Sequence, residues 1–280
     1  MADEHRRAAV AERAARAGGV VAREDFRTNL PVETKADKND LVTRADRDAQ
    51  QQVLATILNE FPGDAVVCEE EVRPPVGIDA DEGGLDVRET VPERGDAWIV
   101  DPIDGTANFV RGVPVWTTAV AAVVDGDPVG SAVYFPVLGE IYTAGPDSVT
   151  RDGDTLHVST REDAETFAVG LLGRWIHSDD DAFSTLCHDV GTRFGDVRRF
   201  GSMQAALAYV ACGGLDAAIM PTPPLPWDAV AGVHLIERSG GTATDRYGDP
   251  WTSDGEGLVV SNGTAHEDVL AVLQSQLSDA

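Results

Sequence analysis

The order in which strand-like and helix-like segments follow one another constrains this 280-residue chain more than any other feature. Between Thr117 and Thr143 three apolar, β-branched runs succeed one another: Thr117 to Val124, a turn at Asp125-Gly126, Val129 to Phe135, and Glu140 to Thr143. Strands joined by such short turns predict an antiparallel sheet. After about residue 150 strands and helices alternate. Phe167 to Leu171, Ala217 to Met220 and Leu258 to Ser261 read as strands. Asp180 to Val190, Gln204 to Ala211, Asp228 to Arg238 and His266 to Leu277 read as helices. The expected architecture is therefore two halves, an α+β half over residues 1–150 and an α/β half over 151–280.

The N-terminal segments are less regular. Residues 3–18 predict an amphipathic helix ending at Gly18-Gly19. Val53, Leu54, Ile57, Leu58 and Phe61 predict a second helix, stopped by Pro62-Gly63. The polar stretch 34–40 between them reads as a mobile loop. Ala65 to Cys68 predicts a short strand leading into Glu69-Glu70-Glu71, and residues 72–97, rich in Pro, Gly and acids, predict an exposed insertion.

Composition narrows the partners. The chain holds 48 acidic against 22 basic residues, a net charge of -26, and Lys35 and Lys38 are its only lysines. Such a surface repels nucleic acid polymers and anionic membranes. The dispersed acids fit a salty cytoplasm, where screening removes self-repulsion, and predict salt-dependent stability. Three cysteines without ligand-like spacing and no apolar run of about 18 residues predict a reduced, soluble, cytoplasmic protein.

The chemistry concentrates in Asp101-Pro102-Ile103-Asp104-Gly105-Thr106. Ala97 to Val100 predicts a buried strand, and Pro102 resists continuing it, so both carboxylates are expected just past a strand end. Gly105 permits close backbone approach to an anion, and Thr106 brings an N–H and a hydroxyl. Asp228, in Pro226-Trp227-Asp228-Ala229, taken alone reads as a helix N-cap. Taken together, Glu69, Asp101, Asp104 and Asp228 would form an all-oxygen site suited to magnesium, which would stabilise both the attacking and the leaving oxygen of a phosphoryl transfer. No G-x-S-x-G occurs, so no serine nucleophile of that kind is indicated.

In order along the chain, Asp40 to Asp46, Glu69-Glu70, Asp101 to Thr106 with Asn108-Phe109, Gly201-Ser202, Trp227-Asp228 with Ala231-Gly232, and Ser261-Asn262-Gly263 resemble the inositol monophosphatase family almost end to end. The resemblance implies a layered αβαβα sandwich and a magnesium-dependent phosphomonoesterase binding two or three Mg2+. By resemblance, Glu69, Asp101 and the Ile103 carbonyl would hold one ion, and Asp101, Asp104 and Asp228 a second. Gly105 and Thr106 would give N–H groups to the phosphate. The Thr106 hydroxyl, linked to Asp46, would orient the attacking water together with Glu69, while Lys35 matches a family lysine on a mobile loop near the metals. On the substrate side stand Asp104, Gly201, Ser202, Met220 and Asp228.

The expected substrate is a small sugar or inositol phosphate, with archaeal-type fructose-1,6-bisphosphatase and 3'-phosphoadenosine 5'-phosphate phosphatase as alternatives. A non-catalytic phosphate-binding relative is the reading from another class, and it would normally have lost a ligand or Thr106. Members of the family commonly form homodimers. One departure concerns specificity. Animal-type members carry a glutamate that contacts inositol hydroxyls where Met220 or Pro221 falls here, and residues 217–227 contain no acid.

Overall fold

A computed structural model describes residues 1–29, 31–34, 41–73, 85–173 and 182–278. Helix α1 (Ala2–Asp25) lies against α2 (Arg44–Leu58), and a two-stranded ribbon of β1 (Val32–Thr34) and β2 (Leu41–Thr43) precedes α2. The larger sheet comprises β3 (Ala65–Cys68), β4 (Val87–Arg88), β5 (Asp96–Asp104), β6 (Thr117–Val124), β7 (Asp127–Phe135), β8 (Glu140–Ala144), β9 (Val149–Arg151) and β10 (Asp154–Thr155). Their order is β10-β9-β8-β7-β6-β5-β3-β4, antiparallel except where β3 runs parallel to β4 and β5. The short helix α3 (Thr106–Val110) follows β5 directly.

The second sheet is built from β11 (Ala168–Leu171), β12 (Asp196–Arg198), β13 (Ala217–Met220), β14 (Thr242–Thr244) and β15 (Leu258–Ser261), in the order β12-β11-β13-β15-β14. Its helices are α4 (Ala182–Arg193), α5 (Met203–Ala211), α6 (Pro226–Arg238) and α7 (His266–Ser278). Period-two burial on the strands creates the layers. On β3, β5 and β6, Val66, Trp98, Val100, Val120 and Ala122 pack on α1 and α2. Their neighbours Val67, Ile99, Ala119, Ala121 and Val123 share a core with α5 and α6. Val169, Ala217, Ile219 and Val259 of the second sheet turn to the opposite side, against α4 and α7. The result is an αβαβα sandwich.

Several expectations require correction. Helix α1 does not end at Gly18-Gly19 but continues to Asp25. Those glycines are points of close approach: a Cβ on Gly18 would lie 2.5 Å from Val53 Cγ2, and one on Gly19 2.5 Å from the Tyr134 ring. Helix α2 begins earlier, at Arg44, because Thr43 and Asp46 cap it reciprocally, and Phe61 lies beyond its end. Pro102 does not terminate β5, which runs to Asp104. The β5–β6 register shifts between Asp101 and Asp104, a bulge that accommodates a residue lacking an N–H. Asp228 is not an N-cap; Leu225 holds that position, with Pro226 as the first helical residue. Within the expected insertion, Val87–Arg88 forms an edge strand and Asp96-Ala97 belong to β5, while residues 74–84 lie outside the described set. Of the loop expected over 34–40, Thr34 instead ends β1, paired with Leu41, and residues 35–40 lie outside the described set, as does Asp180.

Helix α6 also buries a titratable group. His234 hydrogen-bonds Ser131 Oγ on β7 at 3.0 Å, and burial, aided by the Arg238 charge, pushes its pKa from 6.5 to about 4. The unfolded chain therefore binds this proton before the folded one does, so His234 costs stability as pH falls from 6.5 towards 4. Relative to His234→Gln, the wild-type unfolding free energy measured by urea titration should drop across that window, by at most about 1.4 kcal/mol per pH unit. Parallel pH profiles for the two proteins would refute the assignment.

Candidate active site

The acidic residues meet where the larger sheet abuts α5 and α6. Asp101 and Asp104 come from the bulged end of β5, and Glu69 follows β3, its N–H donating to Val100 O at 3.2 Å. Asp228 stands in the first turn of α6. Asp101, Asp104 and Asp228 each bring one carboxylate oxygen within 4.8 Å of the others. Asp101 is 1% exposed, and its Oδ1 has no hydrogen-bond partner among the described residues.

Burial pushes the Asp101 carboxyl well above the usual range, and repulsion from Glu69, Asp104 and Asp228 adds to it. Asp104 is also raised by burial, but donors oppose the shift. Ser202 Oγ donates to Asp104 Oδ2 at 2.5 Å, Gln204 N to the same oxygen at 2.7 Å, and Met203 N to Oδ1 at 3.1 Å. Asp104 thus sits on the N-terminus of α5. Crowded hard oxygens and an orphaned buried oxygen fit a divalent cation, which would relieve both the desolvation and the repulsion.

Beside this cluster, the Thr106 hydroxyl lies 3.2 Å from Asp46 Oδ1 and 3.1 Å from the Ile103 carbonyl. Asp46 Oδ2 accepts from Thr43 N at 2.8 Å and from Thr43 Oγ1 at 2.7 Å. Burial, only partly offset by the Thr43 bonds, pushes the Asp46 pKa up to about 7. A group poised there can exchange a proton near neutrality.

A cavity of about 720 Å³ is lined by Glu69, Asp101, Ile103, Asp104, Gly105, Thr106, Gly201, Ser202, Met220 and Asp228. Asp46 reaches it through Thr106, and Lys35 lies outside the described residues. Arg199 lines the cavity, whereas Arg198 pairs with Asp196 at 2.5 Å and Arg174 is outside the described set. Arg111 also lines it, a residue not singled out from the sequence.

Three further polar side chains were given no role from the sequence, although Asn108 stands in the matched string. Gln50 Nε2 donates to Glu70 O and Gln50 Oε1 accepts from Glu70 N, both at 3.0 Å, fixing the segment that carries Glu69. Asn108 donates to Val115 O at 2.6 Å and Phe200 O at 2.7 Å. Gln204 bridges to Trp227 O at 2.7 Å. Gln50 carried a local signal, being a polar residue one turn after Asp46 on the same face of α2.

The sandwich fold is shared with solved structures of inositol monophosphatases. The solved structure of a Thermotoga maritima IMPase has a TM-score of 0.80 and 26% identity, covering 95% of this chain and 96% of that one. The Thermotoga maritima fructose-1,6-bisphosphatase/inositol-1-monophosphatase is 29% identical over 250 residues, 89% of this chain and 88% of the relative. Nus factor SuhB of Escherichia coli is also 29% identical, over 276 residues and 97% of both chains. The sequence model of the inositol monophosphatase family matches residues 3–278, and the chain belongs to that family. Its class is therefore that of a phosphatase. Among the described residues no helix is long and apolar enough to cross a membrane.

Proposed function

We propose that the protein is a magnesium-dependent phosphomonoesterase acting on a small sugar or inositol phosphate by in-line attack of water. The observation that carries this reading is the approach of Asp101, Asp104 and Asp228 to within 4.8 Å, in one cavity with Glu69 and Thr106. Glu69, Asp101, Asp104, Asp228 and the Ile103 carbonyl would hold two or three magnesium ions, which supply charge neutralisation for the phosphate and an acidified water. Backbone N–H groups of Gly105 and Thr106 seat the phosphate oxygens. The Thr106 hydroxyl can donate to Asp46 while its lone pairs accept from the incoming water. As the water's proton passes to the Thr106 oxygen, the hydroxyl proton passes to Asp46, whose pKa is pushed up to about 7, and Glu69 orients the same water. Lys35 is assigned to the approach of the phosphate, and Gly201, Ser202 and Met220 to the wall met by the alcohol.

A second reading, fructose 1,6-bisphosphate as substrate, is favoured by Arg111 and Arg199. Among the described residues the acids lining the cavity are Glu69, Asp101, Asp104 and Asp228, so a second phosphate beside Arg111 and Arg199 would meet guanidinium groups. A phosphate-release panel separates these readings. It compares inositol 1-phosphate, fructose 1-phosphate, fructose 1,6-bisphosphate and 3'-phosphoadenosine 5'-phosphate, in high potassium chloride with and without magnesium. Release should require magnesium and should be fastest for one of the sugar or inositol esters. Equal release in chelator would refute the magnesium reading, and no release from any ester would favour the non-catalytic relative.

A further inference from the structure

Three mutually repelling carboxylates keep a 4.8 Å spacing only if their backbones are fixed from behind. Asp101 and Asp104 share one strand, whereas Asp228 arrives on a helix from the other half of the sequence. We propose that Gln204 is the positioning residue that ties these two elements together and so sets the site's affinity for magnesium. The proposal rests on the magnesium reading above.

Gln204 is fully buried in the first turn of α5. Its backbone N–H donates to Asp104 Oδ2 at 2.7 Å, and its side-chain Nε2 donates to Trp227 O, also at 2.7 Å. Trp227 immediately precedes Asp228, so one residue holds Asp104 by its main chain and the Asp228 segment by its side chain. The amide fits because position 232, one turn beyond Asp228, is glycine: a Cβ there would lie 2.8 Å from Gln204 Oε1.

The other end of the amide argues that the donor is what this position uses. Gln204 Oε1 is buried with no donor among the described residues, a cost that an apolar side chain of similar length would avoid. The surrounding helix is otherwise apolar, with Met203, Ala205, Ala206, Leu207 and Ala208 all buried. A glutamine that filled space alone would be a poor choice beside them.

The test is calorimetric titration of the full-length protein with magnesium in high potassium chloride, on wild type, Gln204→Ala and Gln204→Met. Methionine keeps the volume and removes the donor. Both variants should bind magnesium about tenfold more weakly, the scale seen when a partner that orients a ligand is lost. In turnover, half-saturating magnesium should rise by about the same factor. Thermal unfolding in chelator verifies that Gln204→Met is folded. Wild-type affinity in folded Gln204→Met would overturn the proposal and leave the magnesium reading standing. No magnesium binding by wild type would overturn both.

Discussion

Asp101→Asn should abolish phosphate release while raising the melting temperature of the magnesium-free protein. Asp101 is almost wholly buried and faces Glu69, Asp104 and Asp228, so its ionised form is opposed by desolvation and by three like charges. The folded-state pKa lies above the ordinary carboxyl value, so this group's contribution to stability is greatest below that value. It is lost as pH rises through the folded pKa. Asparagine keeps the shape, carries no charge and can donate to Glu69, which removes the loss at neutral pH. In chelator the variant should melt a few degrees higher, about 3 °C for each kcal/mol in a chain of this size. Magnesium should raise the wild-type melting temperature by mass action and raise that of Asp101→Asn far less. Turnover should fall by about three orders of magnitude, as when a group that stabilises developing charge is removed. A variant that is both active and less stable in chelator would show that Asp101 is a structural carboxylate.

This trade between stability and function explains which parts of the site were legible from the sequence. Carboxylates held together against their own repulsion need a reason to be there, and residue type plus spacing exposes it. Asp101, Asp104 and Asp228 were found in that way, and the structure gathers them. Thr106 and Asp46, 60 residues apart, also meet, at 3.2 Å. The positioning groups were not legible. Gln204 and Asn108 act on carbonyls 23 and 92 residues away, and no local pattern encodes such a partner.

Fold errors have the same origin. Gly18-Gly19 is a helix stop by local rule, but here it is the place where α1 touches Val53 and Tyr134, so packing overrides propensity. Pro102 is a strand stop by local rule, but a bulge absorbs it. Strands β12 and β14, three residues each, are too short for periodicity to register. Long buried segments leave their period in the sequence, whereas close approaches leave only a glycine or a proline of ambiguous meaning.

Gly105 is the close approach on which the site depends most, and Gly105→Ala should lower both stability and turnover, opposite in stability to Asp101→Asn. Its φ of +94° lies where a side chain costs about 1–2 kcal/mol. A Cβ would stand 3.0 Å from Ser202 Cβ and 3.1 Å from Gly201 O, so α5's N-cap would have to give way. It has little room to do so, because Gly201 is itself at φ +73° with the Asn108 side chain 3.0 Å from where its own Cβ would be. Displacing Ser202 loosens its 2.5 Å bond to Asp104 and shifts Asp104 relative to Asp228. Reacting groups misplaced by a full 1 Å lose about a hundredfold in rate, which bounds the cost of the smaller displacement needed here. The expected result is a melting temperature lower by about 3–8 °C together with a fall in turnover within that bound. Gly63→Ala is the control: a Cβ there meets nothing within 4 Å, and neither quantity should move. Wild-type turnover in Gly105→Ala would mean that the segment from Asp101 to Thr106 tolerates a displacement that the proposed chemistry forbids.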